Sequence, residues 1–275
     1  MKARRQHRER IGPAIVLSVL VLITILPMLS LVATSLQPQG TLPSGLTVPK
    51  DPQWQNYVEA WDRSEFLQLF KSTGIIVLGV VPAAVLMATM AGYGMAHMRL
   101  PGGSLLLGLF IFGLTLPFEA ILTPLYVQMR SLGLLNTRLA IILPLLGLYM
   151  PFSVFWMRSH FANVPPEVTE AAQMDGASPL MAFRHIHLPL ALPAWGALSM
   201  LLTLWTSNQF LLAVVLVSDP TKRTLAGALG AFQGERTTNI VLVCAVTVLI
   251  ITPAVLAFLA LQGHFTKALL QGVSK

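Results

Sequence analysis

Long apolar runs alternate with short polar connections along almost the whole chain. The first run covers about residues 13–36 and follows five basic residues, Lys2, Arg4, Arg5, Arg8 and Arg10. Four charge-free stretches and one nearly charge-free stretch come after it, placing further spans at about 72–97, 104–128, 139–158, 189–217 and 238–262. Each is near or above the roughly 20 residues that a helix needs to cross hydrocarbon. The pattern predicts an all-α integral membrane protein with six transmembrane helices in a single domain, 1–275. A signal-peptide core spans only about 7–15 residues, so the longer first run reads as an uncleaved span.

The polar connections carry their own signals. Residues 37–71 hold Pro38, Pro43, Pro49 and Pro52, followed by Trp54, Tyr57 and Trp61 at helix-like spacing. This predicts an external loop with a short surface helix, its aromatics either at the membrane interface or packed on the loop. Residues 163–188 read as two short helices joined by a sharp turn. Pro165 and Pro166 suit a first helical turn and Glu167 complements the positive end of the dipole. Asp175-Gly176 stops that helix, because glycine reaches the left-handed conformation of a C-terminal cap, and Ser178-Pro179 supplies a new N-cap and first position. On the first helix Val168, Ala171 and Ala172 fall on one small apolar face, with Glu167, Glu170 and Met174 on another. Periodicity alone favours an ordinary amphipathic loop helix.

An even number of spans returns both termini to one side. The basic cluster before the first span holds the N-terminus in the cytoplasm, and ten of the 18 Lys and Arg residues then fall on cytoplasmic segments. The loop after the fourth span faces the same side.

Composition agrees with the spans: 55% of the residues are hydrophobic and 11% charged, against roughly 25% charged in an average soluble domain. The net charge of +7 is scattered over short loops and builds no basic surface for nucleic acid. Cys244, the single cysteine, lies in an apolar run, which rules out a disulfide framework within the chain.

Few residues offer chemistry. Glu119 is the one acidic residue inside an expected span, and an ionisable group there faces a water-filled path or is held as a protonated or hydrogen-bonded packing residue. His185 and His187, two apart, diverge on a helix and have no third ligand, which argues against a metal site; His160 and His264 flank membrane segments, where solvation or headgroup contact accounts for them. No serine-hydrolase elbow and no ATP-binding P-loop occurs. A self-contained transporter driven by protons through Glu119 is the alternative from another class, although it would need relays and repeated halves that the sequence does not show.

Glu170-Ala171-Ala172, Gly176 four residues later, then Ile186 and Leu188-Pro189 resemble the EAA loop of ABC-importer permeases. Thr123-Pro-Leu-Tyr126, Gly133-Leu-Leu-Asn-Thr137, Leu188-Pro-Leu190 and the tail from Gly263 to Gly272 extend the likeness over nearly the whole chain, which is most similar to the second permease of the maltose-type carbohydrate uptake family. The resemblance implies a bacterial inner-membrane permease for a carbohydrate or related polyol derivative, with both termini cytoplasmic and residues 163–188 as a cytoplasmic coupling loop. Its implied partners are a second permease subunit, two cytoplasmic ATPase subunits, an extracytoplasmic solute-binding protein and membrane lipid. No cofactor is expected on this chain; ATP and Mg belong to the ATPase. Glu170, Ala171, Ala172, Asp175 and Gly176 are the expected docking residues. Many members carry Trp-Asn-acidic-Phe in the fifth span, where this chain has Ser207-Asn208-Gln209-Phe210. Asn208 and Gln209 join Glu119 as candidate residues of the translocation path. The external segment from Asp219 to Thr238 is expected to face the binding protein.

Overall fold

The computed structural model describes residues 2–42, 45–98, 100–232 and 239–273, with side chains described chiefly over 13–253. Helices dominate it, and no strand occurs among the described residues. Two compact units can be distinguished: Met1–Phe66 with Ala228–Pro253, and Leu67–Gly227 with Ala254–Lys275.

In the first unit α1 (Lys2–Ser35) runs through Pro13 and Pro27 without stopping. Membrane helices tolerate such prolines because freed carbonyls find other partners. The end of α1 is tied to α2 (Gln55–Arg63). The buried Asn56 amide donates to the carbonyls of Ser35 and Gln37 at 2.9 Å each, satisfying acceptors that a helix end leaves open. Tyr57 and Ser35 share a 2.6 Å hydroxyl contact. Of the loop aromatics, Tyr57 therefore packs on the loop, whereas Trp54 stays largely exposed. The predicted surface helix is present. Val16, Leu20, Ile23 and Leu26 of α1 all stand open within the chain, as befits a helix whose neighbours are lipid or another subunit.

In the second unit α3 (Phe66–His97) lies against α6 (Leu139–Ala162). Lipid is as apolar as the helix surfaces, so close backbone approach matters more here than apolar burial. Gly92 provides it: a Cβ there would come within 2.7 Å of the Arg158 nitrogen. At Gly79 the close neighbour is the Ile142 side chain, whose Cδ1 would lie 2.8 Å from a Cβ. Two apolar clusters fill the unit, one around Ala84, Ala88, Val154, Met157, Leu198 and Leu202, the other around Ile76, Val80, Ile141, Leu145, Leu212 and Leu216.

Two of the six expected spans are broken. The stretch 104–128 divides into α4 (Gly103–Thr115) and α5 (Phe118–Ser131), which meet at 99°. Pro117 disfavours helical geometry at Leu116, and both adopt extended ψ angles, 126° and 125°. The stretch 189–217 divides into α10 (Leu192–Ser207) and α11 (Leu211–Leu216), separated by Asn208, Gln209 and Phe210. The last helix is α12 (Ile240–Val273), whose apolar sequence continues to about residue 262. Among the described residues three helices are long and apolar enough to cross a membrane, or up to five if two bent pairs, Gly103–Thr115 with Phe118–Ser131 and Pro179–Leu190 with Leu192–Ser207, each count as one span.

The Gly133–Thr137 motif has a structural task. Gly133 and Asn136 take φ of +67° and +62°, and the Asn136 side chain accepts from the Asp219 amide at 2.8 Å, pinning the segment after α11.

Candidate functional site

The loop after α6 folds as its sequence dictates. Pro166 begins α7 (Pro166–Met174), with Glu167 in its first turn. Asp175 follows as C-cap, and Gly176 takes φ +79°. Ala177 N–H donates to the Ala172 carbonyl at 2.9 Å and Gly176 N–H to the Gln173 carbonyl at 3.0 Å, the paired bonds of a Schellman stop. Ser178 then caps α8 (Pro179–Ala182), its hydroxyl accepting from Met181 N–H at 3.3 Å. One difference follows: α8 is not a separate helix. A π turn, Phe183–His187, carries it into α9 (Leu188–Leu190) and on to α10, with a 66° bend where α9 meets α10. Leu188 N–H donates to Phe183, five residues back. Such an inserted residue re-aims the side chains of its turn and is frequent at functional sites.

The expected docking residues divide between two surfaces. Ala172 is buried, whereas Ala171, Glu170, Asp175 and Gly176 are open. The small apolar face is therefore split, with its Ala172 edge packed inward. Met174 and Leu180 stand out further, at 87% and 74% exposed, so the turn and the two helices beside it present an apolar, acid-rimmed knob. Exposed apolar patches of this kind mark protein contact sites.

The inner side of the loop rests on a cluster of rings that the sequence alone does not reveal. His187 is fully buried. Its Nε2 lies 3.2 Å from the Thr169 hydroxyl of α7, and its ring packs on His97 at 4.4 Å and Tyr93 at 5.1 Å between centroids. Phe161 closes a third side at 6.1 Å. The Tyr93 hydroxyl donates to the Pro179 carbonyl at 3.2 Å, so α3 holds α8 as well. His160, near the end of α6, is half-buried, with its ring against Phe161. His185 points elsewhere, exposed and against the Met181 carbonyl. Among the described residues no three His, Cys, Asp or Glu side chains can share a metal ion.

The candidate path residues lie at the two helix breaks. Glu119 is not within a continuous span: it sits in the first turn of α5, directly after the 99° bend, and is exposed. Asn208 caps the end of α10 and is exposed; Gln209, half-buried, accepts the Thr224 hydroxyl on its carbonyl. The half-helices α5 and α11 pack on each other, with Phe118 and Leu122 in the same apolar cluster as Leu212. Irregular backbone at membrane depth persists only where protein or a water-filled cavity covers it.

On the segment after α11, Asp219 Oδ1 accepts from the Thr221 amide and hydroxyl at 3.0 and 2.7 Å, and Lys222 approaches at 3.0 Å. The Thr221 hydroxyl bond first, then Lys222, hold the Asp219 carboxyl below its ordinary value. That anchor is present at neutral pH and is lost as pH falls through the lowered value. Ala226 and Ala228 are buried and present no face to a partner; Glu235 and Arg236 lie outside the described residues.

Comparison with known proteins joins these features. The model of the family described as binding-protein-dependent transport system inner membrane component matches residues 84–271, a range that contains the loop, its ring cluster and both breaks. The diacetylchitobiose uptake system permease protein NgcG of Streptomyces coelicolor is 32% identical over 254 residues, covering 91% of this chain and 84% of its own length. The melibiose/raffinose/stachyose import permease protein MelC of Bacillus subtilis is 30% identical over 251 residues and 91% of each chain. The crystal structure of a bacterial ABC transporter involved in the import of the acidic polysaccharide alginate superposes with a TM-score of 0.76 at 22% identity, over 95% of this chain and 98% of that one, which shows a shared fold. These similarities support an importer subunit and leave the proton-driven alternative through Glu119 without support. The chain belongs to the family of binding-protein-dependent transport system inner membrane components: it is a multi-pass permease subunit of an ABC importer, and ATP hydrolysis falls to a partner subunit.

Proposed function

We propose that this subunit carries a carbohydrate or related polyol derivative across a bacterial inner membrane, as one half of a permease heterodimer served by an extracytoplasmic solute-binding protein and two cytoplasmic ATPase subunits. ATP and Mg reside on those ATPases. The sugar uptake systems to which NgcG and MelC belong support the substrate class. One observation carries the mechanism: the Met174 and Leu180 knob faces outward while the other side of the same loop is hydrogen-bonded to α3 through Tyr93 and, through Thr169, to the buried His187 that leads into α9. A body docked on the knob therefore has a mechanical route to α3 and α10.

In this reading the chain is one domain of six spans, with the bent pairs counting as single crossings, both termini in the cytoplasm, and residues 163–188 as the coupling loop. Closure of the ATPases would push α7 and rock the spans, opening the path alternately to either side. Glu170, Ala171, Asp175 and Gly176 form the docking unit, and Ala172 locks it to the bundle. Orientation is tested by labelling after Cys244→Ser. A cysteine at Ser178 should react only with permeant reagents in intact cells, and one at Thr41 with impermeant reagents; the reverse pattern would overturn the topology.

The path runs past the breaks at Glu119 and at Asn208-Gln209. Free amide and carboxylate groups there suit the hydroxyls of a sugar, and the half-helix ends supply unpaired backbone groups. Asn208→Ala should lower uptake about tenfold, the loss associated with one or two hydrogen bonds, without changing the amount of ATPase retained by the complex. Uptake at the wild-type rate would remove Asn208 from the path.

A further inference from the structure

We propose that the Thr169–His187 hydrogen bond, seated on the rings of His97, Tyr93 and Phe161, is the contact through which displacement of α7 reaches α10. The inference rests on the coupling reading above and assigns the transmission to particular atoms. Thr169 projects from α7 and His187 from the π turn, and their side chains meet at 3.2 Å although they are 18 residues apart. From His187 the chain runs through α9, bends by 66° at Ala191 and continues as α10 to Ser207, so a force on the His187 ring reaches the fifth-span segment across that one bend.

Three features make this contact a positioning device. The ring is held on several sides, by His97 at 4.4 Å, Tyr93 at 5.1 Å and Phe161 at 6.1 Å, and is fully buried, so it has no room to swing away from a moving threonine. The π turn places it: five-residue spacing at Phe183–Leu188 shifts the register that an α-helix would give, and His187 turns inward while His185 remains exposed. The ring also has a single polar contact. Nδ1 of His187 has no hydrogen-bond partner among the described residues, which leaves the threonine hydroxyl as the one hydrogen-bond partner of that ring. A buried imidazole with a single partner loses that bond outright when the partner is removed. By contrast, α8 is held through Tyr93 to a backbone carbonyl, which any residue at position 179 would supply.

The test uses the complete importer in proteoliposomes. Thr169→Val keeps the shape and the β-branch and removes only the hydroxyl, and Thr169→Ser keeps the hydroxyl. For Thr169→Val, uptake should fall about tenfold while the ATPase co-purifies in normal amount and still hydrolyses ATP; Thr169→Ser should return uptake to within about twofold of wild type. Three results would overturn the assignment: wild-type uptake in Thr169→Val, equal impairment of both variants, or loss of the ATPase from the Val complex, which would move Thr169 to the docking surface. Failure of the unmodified chain to retain any ATPase would instead remove the coupling reading itself, and this assignment with it.

Discussion

Gly176→Val should stop uptake while leaving the chain in the membrane at normal abundance. Glycine at this position has φ +79°, and nothing lies within 4 Å of where a Cβ would be built. The penalty is therefore conformational and involves no collision. For an ordinary L-residue the left-handed region costs roughly 1–2 kcal/mol, and a β-branched side chain is a genuine outlier there. Relief of that strain means unwinding the turn and losing the two Schellman bonds to Ala172 and Gln173. A strain of this size does not unfold a bundle of packed spans. It is comparable to the energy that fixes the angle between α7 and α8, so the docking surface and its seat would no longer move as one piece. Asparagine, which visits the left-handed region more readily, should impair uptake least, alanine more and valine most. Equal uptake in all three variants would mean that the angle is unimportant.

Gly92 should fail in the opposite manner, through assembly of the bundle. A Cβ at Gly92 would sit 2.7 Å from the Arg158 nitrogen and 2.9 Å from the Met157 carbonyl carbon. Both are backbone atoms of a helix and cannot step aside like the end of a side chain, so α3 and α6 must separate. Overpacking of this kind costs typically about 1–3 kcal/mol, and in a membrane no hydrophobic gain offsets the lost contact. Gly92→Ala should lower membrane abundance severalfold, and Gly92→Val further. Gly94→Ala is the control, because its added methyl would meet the Met98 sulfur at an ordinary 3.8 Å. Immunoblots of membranes at matched expression decide this: normal levels of Gly92→Val would show that the two helices do not approach as described.

The two residues also show what the sequence made legible. Gly176 was readable because its signal is local: Asp-Gly, then Ser-Pro, stops one helix and caps the next within five positions, and the structure has that turn. Gly92 was not distinguishable from Gly94, since only the partner helix tells which of two neighbouring glycines faces a backbone. Pro117 was visible in an apolar run, yet prolines pass through α1 at positions 13 and 27 without breaking it. What differs at Pro117 is that Leu116 goes fully extended, a tertiary outcome that turned Glu119 from a buried acid into the first turn of a new helix. The ring cluster was least legible. His97 and His187 lie on different elements, and their meeting depends on a π turn that no periodicity announces. The spacing of His185 and His187 correctly implied divergence, but not that one ring would be buried against α3.

The central claim is that residues 163–188 link ATP hydrolysis to solute movement. Its most direct measurement is the number of ATP molecules hydrolysed per solute imported, taken in proteoliposomes holding the full importer with wild-type or Gly176→Val permease at equal membrane content. The expected result is a small, fixed ratio for the wild type that rises at least tenfold in the variant, as hydrolysis continues and uptake collapses. A variant that transports with the wild-type ratio would contradict the account.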